Sequence, residues 1–262
     1  MPLTTFDDLF TQAEQREARF YKVSGTVVAN AWYTTIHLAG WPAAAALDAS
    51  VSASGDLVNS GDGYVWGYSY PFGGRIEPGV IRTACLESTV ALRGRWVDVL
   101  FRLGAIPASA GTTTPATPPT IPLDYPDNEL WVWTFVAPTG TLSLNVTYLN
   151  EAGVSKSTGA VSLTLSGAVG RMARIPLAAG DRAVTKIVSV VRSGATAGSV
   201  TLVVLAPLWR GRVPVANGLV RDGMDQTGLG MIRKDPACML MVNSDSTASG
   251  ETDATLFVSS SA

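Results

Sequence analysis

The sequence predicts an all-β protein: an antiparallel, jelly-roll-like β-sandwich with one N-terminal amphipathic helix and long extended loops. Three observations predict it. Runs of alternating apolar and polar residues recur at intervals of about 8 to 12 residues through the second half of the chain, as sandwich strands do. Turn residues separate them, as in Asn150-Glu151-Ala152-Gly153 and Ala179-Gly180-Asp181. Strands never alternate with helical segments, which excludes a doubly wound α/β fold.

The predicted helix lies within residues 1–22. Thr5-Phe6-Asp7-Asp8 reads as a cap followed by acids in the first turn. Phe6, Leu9, Phe10, Ala13 and Phe20 recur at helical spacing, and Arg16, Arg19 and Lys22 sit where cations suit the helix end. Residues 23–103 form a β-rich region. Within it, 23–41 is rich in β-branched and aromatic residues, Pro42 to Leu47 reads as a loop, and 56–74 reads as a twisted strand full of glycine. Leu86 to Leu103 reads as two strands split at Arg93-Gly94. Residues 104–128 hold six prolines (107, 115, 118, 119, 122 and 126) and lean towards polyproline geometry, as either a domain linker or a strap on a neighbouring subunit. Residues 129–208 are the sandwich core. Trp131, Trp133 and Phe135 alternate with Leu130, Val132 and Thr134, so that strand is covered on both faces. Residues 209–262 add an irregular stretch and two late strands, ACMLMVNS and ATLFVSSS.

Composition narrows the function. The 262 residues are 47% apolar but only 15% charged, with a net charge of −2. A soluble globular protein usually carries about 25% charged residues. Much of the surface is therefore Ser, Thr, Gly and Ala, or is buried against neighbours. The net charge argues against a dedicated nucleic-acid binder. Fifteen of the 19 cations are Arg, the residue suited to desolvated contacts and carboxylate forks. Cys85 and Cys238, each inside an apolar run, could form one disulfide but read better as two free thiols of a protein made in the cytoplasm. The chain opens without a secretory pattern, and its longest apolar stretch, Val200–Trp209, is half of the ~20 residues a membrane span needs.

The residues for standard enzymatic constellations are missing from the sequence. It has no P-loop, no G-x-S-x-G elbow, and a single histidine, His37, in a strand-like run. One histidine and two distant cysteines cannot supply a zinc site, and no cofactor is expected. Paired carboxylates leave little spacing signature, but Asp56, Asp62, Glu77 and Glu87 suit polar turns. A non-enzymatic protein is expected. The aromatic cluster Tyr64, Trp66, Tyr68 and Tyr70 suits a sheet core, an oligomer interface, or a sugar-stacking platform.

Two stretches carry a family pattern. NVTYLNEAGVS (145–155) is followed by AVGRMARIPLAAGDRAVTKI (168–187), and WYTTIHLAGWPAAAA lies upstream (32–46). Together they resemble tailed-bacteriophage virion structural proteins, which pair a "YTN-x-AG" hairpin with a "GRM…PLxAGDxGV" strand–turn–strand. The chain departs from that pattern at Ala183, where glycine is usual. The resemblance implies a place in the virion and brings no catalytic residues. With the low charge, it suggests a capsid decoration or cement protein on the head surface. A tail, baseplate or fibre component, or a carbohydrate-binding sandwich, are the alternatives. The expected partners are further copies of itself, as a trimer by analogy with decoration proteins, and the major capsid protein or another virion protein. The expected interface residues are Phe6, Leu9, Phe10 and Phe20 of the helix and Pro115, Pro118, Pro119 and Pro122 of the strap. Neither a membrane nor nucleic acid is expected as a partner.

Overall fold

The computed structural model describes residues 13–45, 47, 53–58, 68, 79–165, 168–227 and 230–261. The strands in chain order are β1 (Ala13–Lys22), β2 (Trp32–Thr34), β3 (Gly40–Trp41), β4 (Asp56–Leu57), β5 (Gly79–Ser88) and β6 (Leu92–Pro107). Next come β7 (Gly111–Thr113), β8 (Glu129–Thr139), β9 (Leu142–Asn150), β10 (Ser155–Ser157), β11 (Val161–Leu163) and β12 (Arg171–Ile175). The last are β13 (Val184–Ser193), β14 (Ala197–Val213), β15 (Gly218–Asp222), β16 (Met231–Ile232), β17 (Cys238–Ser244) and β18 (Thr252–Ser261). One four-residue helix, α1 (Met224–Thr227), follows β15. The protein is all-β, and no helix among the described residues is long and apolar enough to cross a membrane.

The central sheet closes on itself. Strands β14, β8, β12, β2, β17 and β6 pair in that order, every pair antiparallel, and β6 returns to β14. Closure removes the edges that an open sheet would expose. Two further sheets flank this barrel: β15-β5-β18-β1-β3, with β16 beside β5, and β10-β9-β13-β7, with β11 beside β9. The architecture is thus a closed barrel with two flanking sheets, where the alternation had suggested two facing sheets. Alternation cannot tell these apart, because barrel walls and sandwich sheets both bury every second residue.

The long barrel strands are covered on both faces, which explains their near-continuous apolar sequence. From β8, Leu130 and Val132 join Val200, Leu202 and Val204 of β14 and pack on Leu142, Leu144, Val146 and Tyr148 of β9. The opposite face of β8 carries Trp131 and Trp133 into the barrel interior with Tyr33, Val203 and Leu205. On the barrel's other side, Trp96 meets Phe20 of β1 edge to face, ring centroids 5.3 Å apart. The barrel interior also takes in a loop. The Leu47 carbonyl accepts hydrogen bonds from Arg102 Nη2 (3.2 Å), Trp133 Nε1 (3.2 Å) and Thr201 Oγ1 (3.4 Å), one donor from each of three wall strands. Arg102 lies over the rings of Trp133 and Tyr68.

The helix expected within residues 1–22 is corrected over its described part. Residues 13–22 are a strand paired along its length with β18. Ala18, Phe20 and Lys22 are buried, while Glu17, Arg19 and Tyr21 are exposed, a period of two. Phe6, Leu9 and Phe10 lie outside the described residues. The turn expected at Arg93-Gly94 falls earlier, at Thr89-Val90-Ala91, and Gly94 sits inside β6. Its glycine serves a close approach: a Cβ there would strike the Leu86 side chain.

Residues 104–128 finish β6, supply β7 and then run extended over their own chain. Pro115, Ile121 and Tyr125 are buried, and Pro118, Pro119 and Pro122 are half-buried. The Ile121 N–H donates to the Thr185 carbonyl (2.7 Å). Asn128 brackets Val184, accepting from its N–H (2.8 Å) and donating to its carbonyl (3.1 Å). Cys85 and Cys238 are free thiols, half-buried and buried respectively, and burial pushes both thiol pKa values up.

Candidate functional site: a motif clasp and an arginine-lined barrel mouth

The two family-like stretches, some thirty residues apart in sequence, meet in one polar clasp. The β9–β10 hairpin places Asn150 at its corner, where Oδ1 accepts the N–H groups of Ala152 (3.1 Å) and Val154 (2.9 Å). This is an Asx-type turn. Asp181, in the loop before β13, accepts from Tyr148 Oη (2.7 Å) and Asn150 Nδ2 (2.9 Å). Tyr148 Oη also accepts the Ala178 N–H (2.8 Å). Glu151 accepts the N–H groups of Arg182 and Ala183, both at 3.2 Å.

Electrostatics follow the bonds. Hydrogen bonds from Asn150 and Tyr148 hold the Asp181 carboxyl below its usual range. Hydrogen bonds from its own backbone N–H and from those of Arg182 and Ala183 do the same for Glu151. Burial, reinforced by Asp181, pushes the Tyr148 phenol up to about 12. The departure at Ala183 is accommodated: it has no positive φ, and its N–H is held by Glu151. Gly170, ahead of Arg171-Met172, does need glycine, with φ +78° and the His37 ring where a Cβ would stand.

Tyr148→Phe tests the clasp. The phenol is buried and bonds a carboxylate and a backbone N–H, so its loss should cost about 1–2 kcal/mol. Denaturant unfolding at neutral pH measures this, and a variant as stable as the parent would show that the clasp does not hold the hairpin. Because the Asp181 pKa is depressed on folding, its contribution is present above the ordinary carboxylate range and fades as pH falls through the folded value.

The second feature was not anticipated from the sequence. Arg93-Gly94-Arg95 of β6 pairs with Arg210-Gly211-Arg212 of β14, so that Arg95 faces Arg210 and Arg93 faces Arg212. Directly paired residues, and residues two apart, share a sheet face. All four arginines therefore lie on one face, at the barrel mouth, while Gly94 and Gly211 leave the other face open to Leu86 and Trp209. Together with Trp32 they line a cavity of about 400 Å³. Arg95 is buried there, over Trp131 (5.6 Å) and Trp32 (5.9 Å), and bonds Glu129 at 2.9 Å. Arg174 also reaches Glu129, at 3.6 Å. Two RGR triplets 117 positions apart give no hint of pairing until the barrel is closed.

The other residues singled out in the sequence lie apart. Tyr68 is wholly buried beneath Arg102, and Trp131 and Trp133 are barrel interior, so these rings offer no face to a sugar. Tyr64, Trp66 and Tyr70 lie outside the described residues, as do Asp62 and Glu77. Asp56 and Glu87 stand in β4 and β5, in separate sheets. His37 is in a turn, not the strand expected, and burial followed by the charge of Lys22 lowers its pKa. Among the described residues no group of three His, Cys, Asp or Glu is placed to hold a metal ion.

No family model matches the chain, and no curated protein sequence does. Among solved structures, the chain was aligned with the VP2 protein of infectious bursal disease virus in a subviral particle. Identity is 10%, covering 98% of this chain and 82% of that one, with a TM-score of 0.21. The Gx strain of the same virus gives 8% identity over 100% and 84%, with a TM-score of 0.20. A mutant VP2 in T=1 particles gives 10% over 98% and 79%, with a TM-score of 0.20. Superpositions at this level do not identify a common fold.

Proposed function

We propose that the chain is a non-enzymatic structural subunit of a tailed-bacteriophage particle, acting as a decoration protein that oligomerises on the head. One observation supports this reading above others: the residues that carry the family resemblance are engaged with one another inside the fold. Tyr148, Asn150, Glu151 and Asp181 make the clasp, while Arg171 and Met172 pair with Tyr33 and Trp32 in the barrel wall and the Gly170 carbonyl accepts the Thr34 N–H. A motif that builds a scaffold suits a family known by its place in a particle. The low charge suits a subunit that buries much of its surface against copies of itself.

The test is a reconstruction of intact particles from the phage that encodes the chain, beside particles made without it. Density for the barrel on the head, with lower heat resistance when the chain is missing, is the expected result. Density on the tail would move the protein to the tail or baseplate, and particles free of the chain would end the virion reading. Sedimentation at micromolar concentration should show an oligomer, and chromogenic glycosides, esters and peptides should show no turnover above background.

A further inference from the structure

Three of the four arginines at the mouth carry charge that no described residue balances. Like charges directly opposite on neighbouring strands destabilise a sheet, and here two such pairs stand side by side. Glu129 is the carboxylate among the described residues that meets this group, and it bonds Arg95 and is shared with Arg174. Among the described residues Arg93, Arg210 and Arg212 form no ion pair, and all three are exposed. Packing explains the glycines of the two RGR triplets, which let Leu86 and Trp209 lie against the wall, but it does not require arginine at the flanking positions. Other polar side chains would satisfy a solvated strand end.

We propose that the barrel mouth binds a compact, multiply charged oxyanion. Guanidinium forks pair with carboxylate and phosphate oxygens two at a time, and the three exposed forks of Arg93, Arg210 and Arg212 on one face match a ligand with several such groups close together. The cavity of about 400 Å³ is the size of a small-molecule site rather than a macromolecular groove. Arg95 is fixed in advance between Glu129 and the faces of Trp131 and Trp32, so part of the site is ordered before any ligand arrives. The net charge of −2 gives the molecule as a whole no general attraction for anions, so binding depends on this local arrangement.

The probes are tripolyphosphate for phosphate sources and citrate for carboxylate sources, titrated into the full chain at low salt. Calorimetry and tryptophan emission, which Trp32 reports from within the cavity, give the readout. At least one probe should bind 1:1, and the one that binds more tightly identifies the source. Arg93→Ser/Arg212→Ser should weaken it at least tenfold. Raising salt from 50 to 200 mM should weaken it as well. The same double variant relieves a like-charge pair, so without anion it should melt no lower than the parent, while losing the anion-induced rise in Tm. No binding of either probe at millimolar concentration, or binding unchanged in the double variant, would overturn the proposal.

Discussion

Asp98→Ala should cost about 3–5 kcal/mol, the range for removing one partner of a buried ion pair. Asp98 is fully buried, and its carboxylate takes four hydrogen bonds: from Arg233 Nε (2.5 Å) and Nη2 (3.1 Å), Tyr125 Oη (2.9 Å) and the Ala237 N–H (2.8 Å). Arg233 also donates to the Val58 carbonyl (2.6 Å). The Asp98–Arg233 pair thus joins β6 to residues 122–128, to the end of β4, and to the segment leading into β17. Burial alone would lower the Arg233 pKa, but the Asp98 charge overrides it and holds the guanidinium charged. Removing Asp98 strands that cation inside the protein and leaves the Tyr125 hydroxyl and the Ala237 N–H without their acceptor. For a chain of this size the loss corresponds to a Tm lower by roughly 10 °C. Asp98→Leu/Arg233→Met removes both charges and should recover much of the loss, because an apolar pair needs no counter-charge. Guanidinium unfolding of the three proteins decides it. A cost under 1 kcal/mol for Asp98→Ala, or a double variant no better than the single, would show that the pair does not join these segments.

How far the fold was legible depends on how local its causes are. The strands from Glu129 onward were readable because each carries its own alternation and its own turn, as in Leu142 to Asn150 with Gly153. The N-terminal strand was misread because its inward positions are Ala18, Phe20 and Lys22. A buried lysine breaks the apolar alternation, and Phe6, Leu9 and Phe10 suggested helical spacing instead. Barrel closure was not readable at all. It rests on the pairing of β6 with β14, whose residues are more than ninety positions apart. The same distance hid the arginine-lined mouth. The clasp was half legible: both turns were evident, but the reach of Tyr148 and Asn150 to Asp181 depends on β9 and β13 lying side by side.

Stability should rise on going from pH 8 to pH 10.5, by an increment that Lys22→Met lacks. Lys22 is fully buried at the end of β1, 5.6 Å from the centre of the Phe20 ring, with Nζ donating to the carbonyls of Leu38 (3.1 Å) and Pro42 (2.5 Å). Burial lowers its pKa from 10.5 to about 8. Between those values the unfolded chain holds a proton that the folded chain has released, so raising the pH favours the folded state. Below pH 8 both states are protonated and the full penalty of the buried charge applies; above 10.5 it is gone. The two carbonyl hydrogen bonds favour the charged form and trim the effect, which places the increment on the order of 1–3 kcal/mol. His37 works in the same direction at lower pH. Burial and the Lys22 charge depress its pKa, so the fold keeps it neutral and loses stability as the pH falls below 6.5. Lys22→Met removes the charge beside His37, so this acid-side loss should be smaller in the variant than in the parent. Urea unfolding of parent and variant at pH 5.5, 7.5, 9 and 10.5 measures both arms. The parent should gain on the variant as the pH rises from 7.5 to 10.5, and equal slopes across that interval would show that Lys22 is not held in the low-dielectric setting its burial implies.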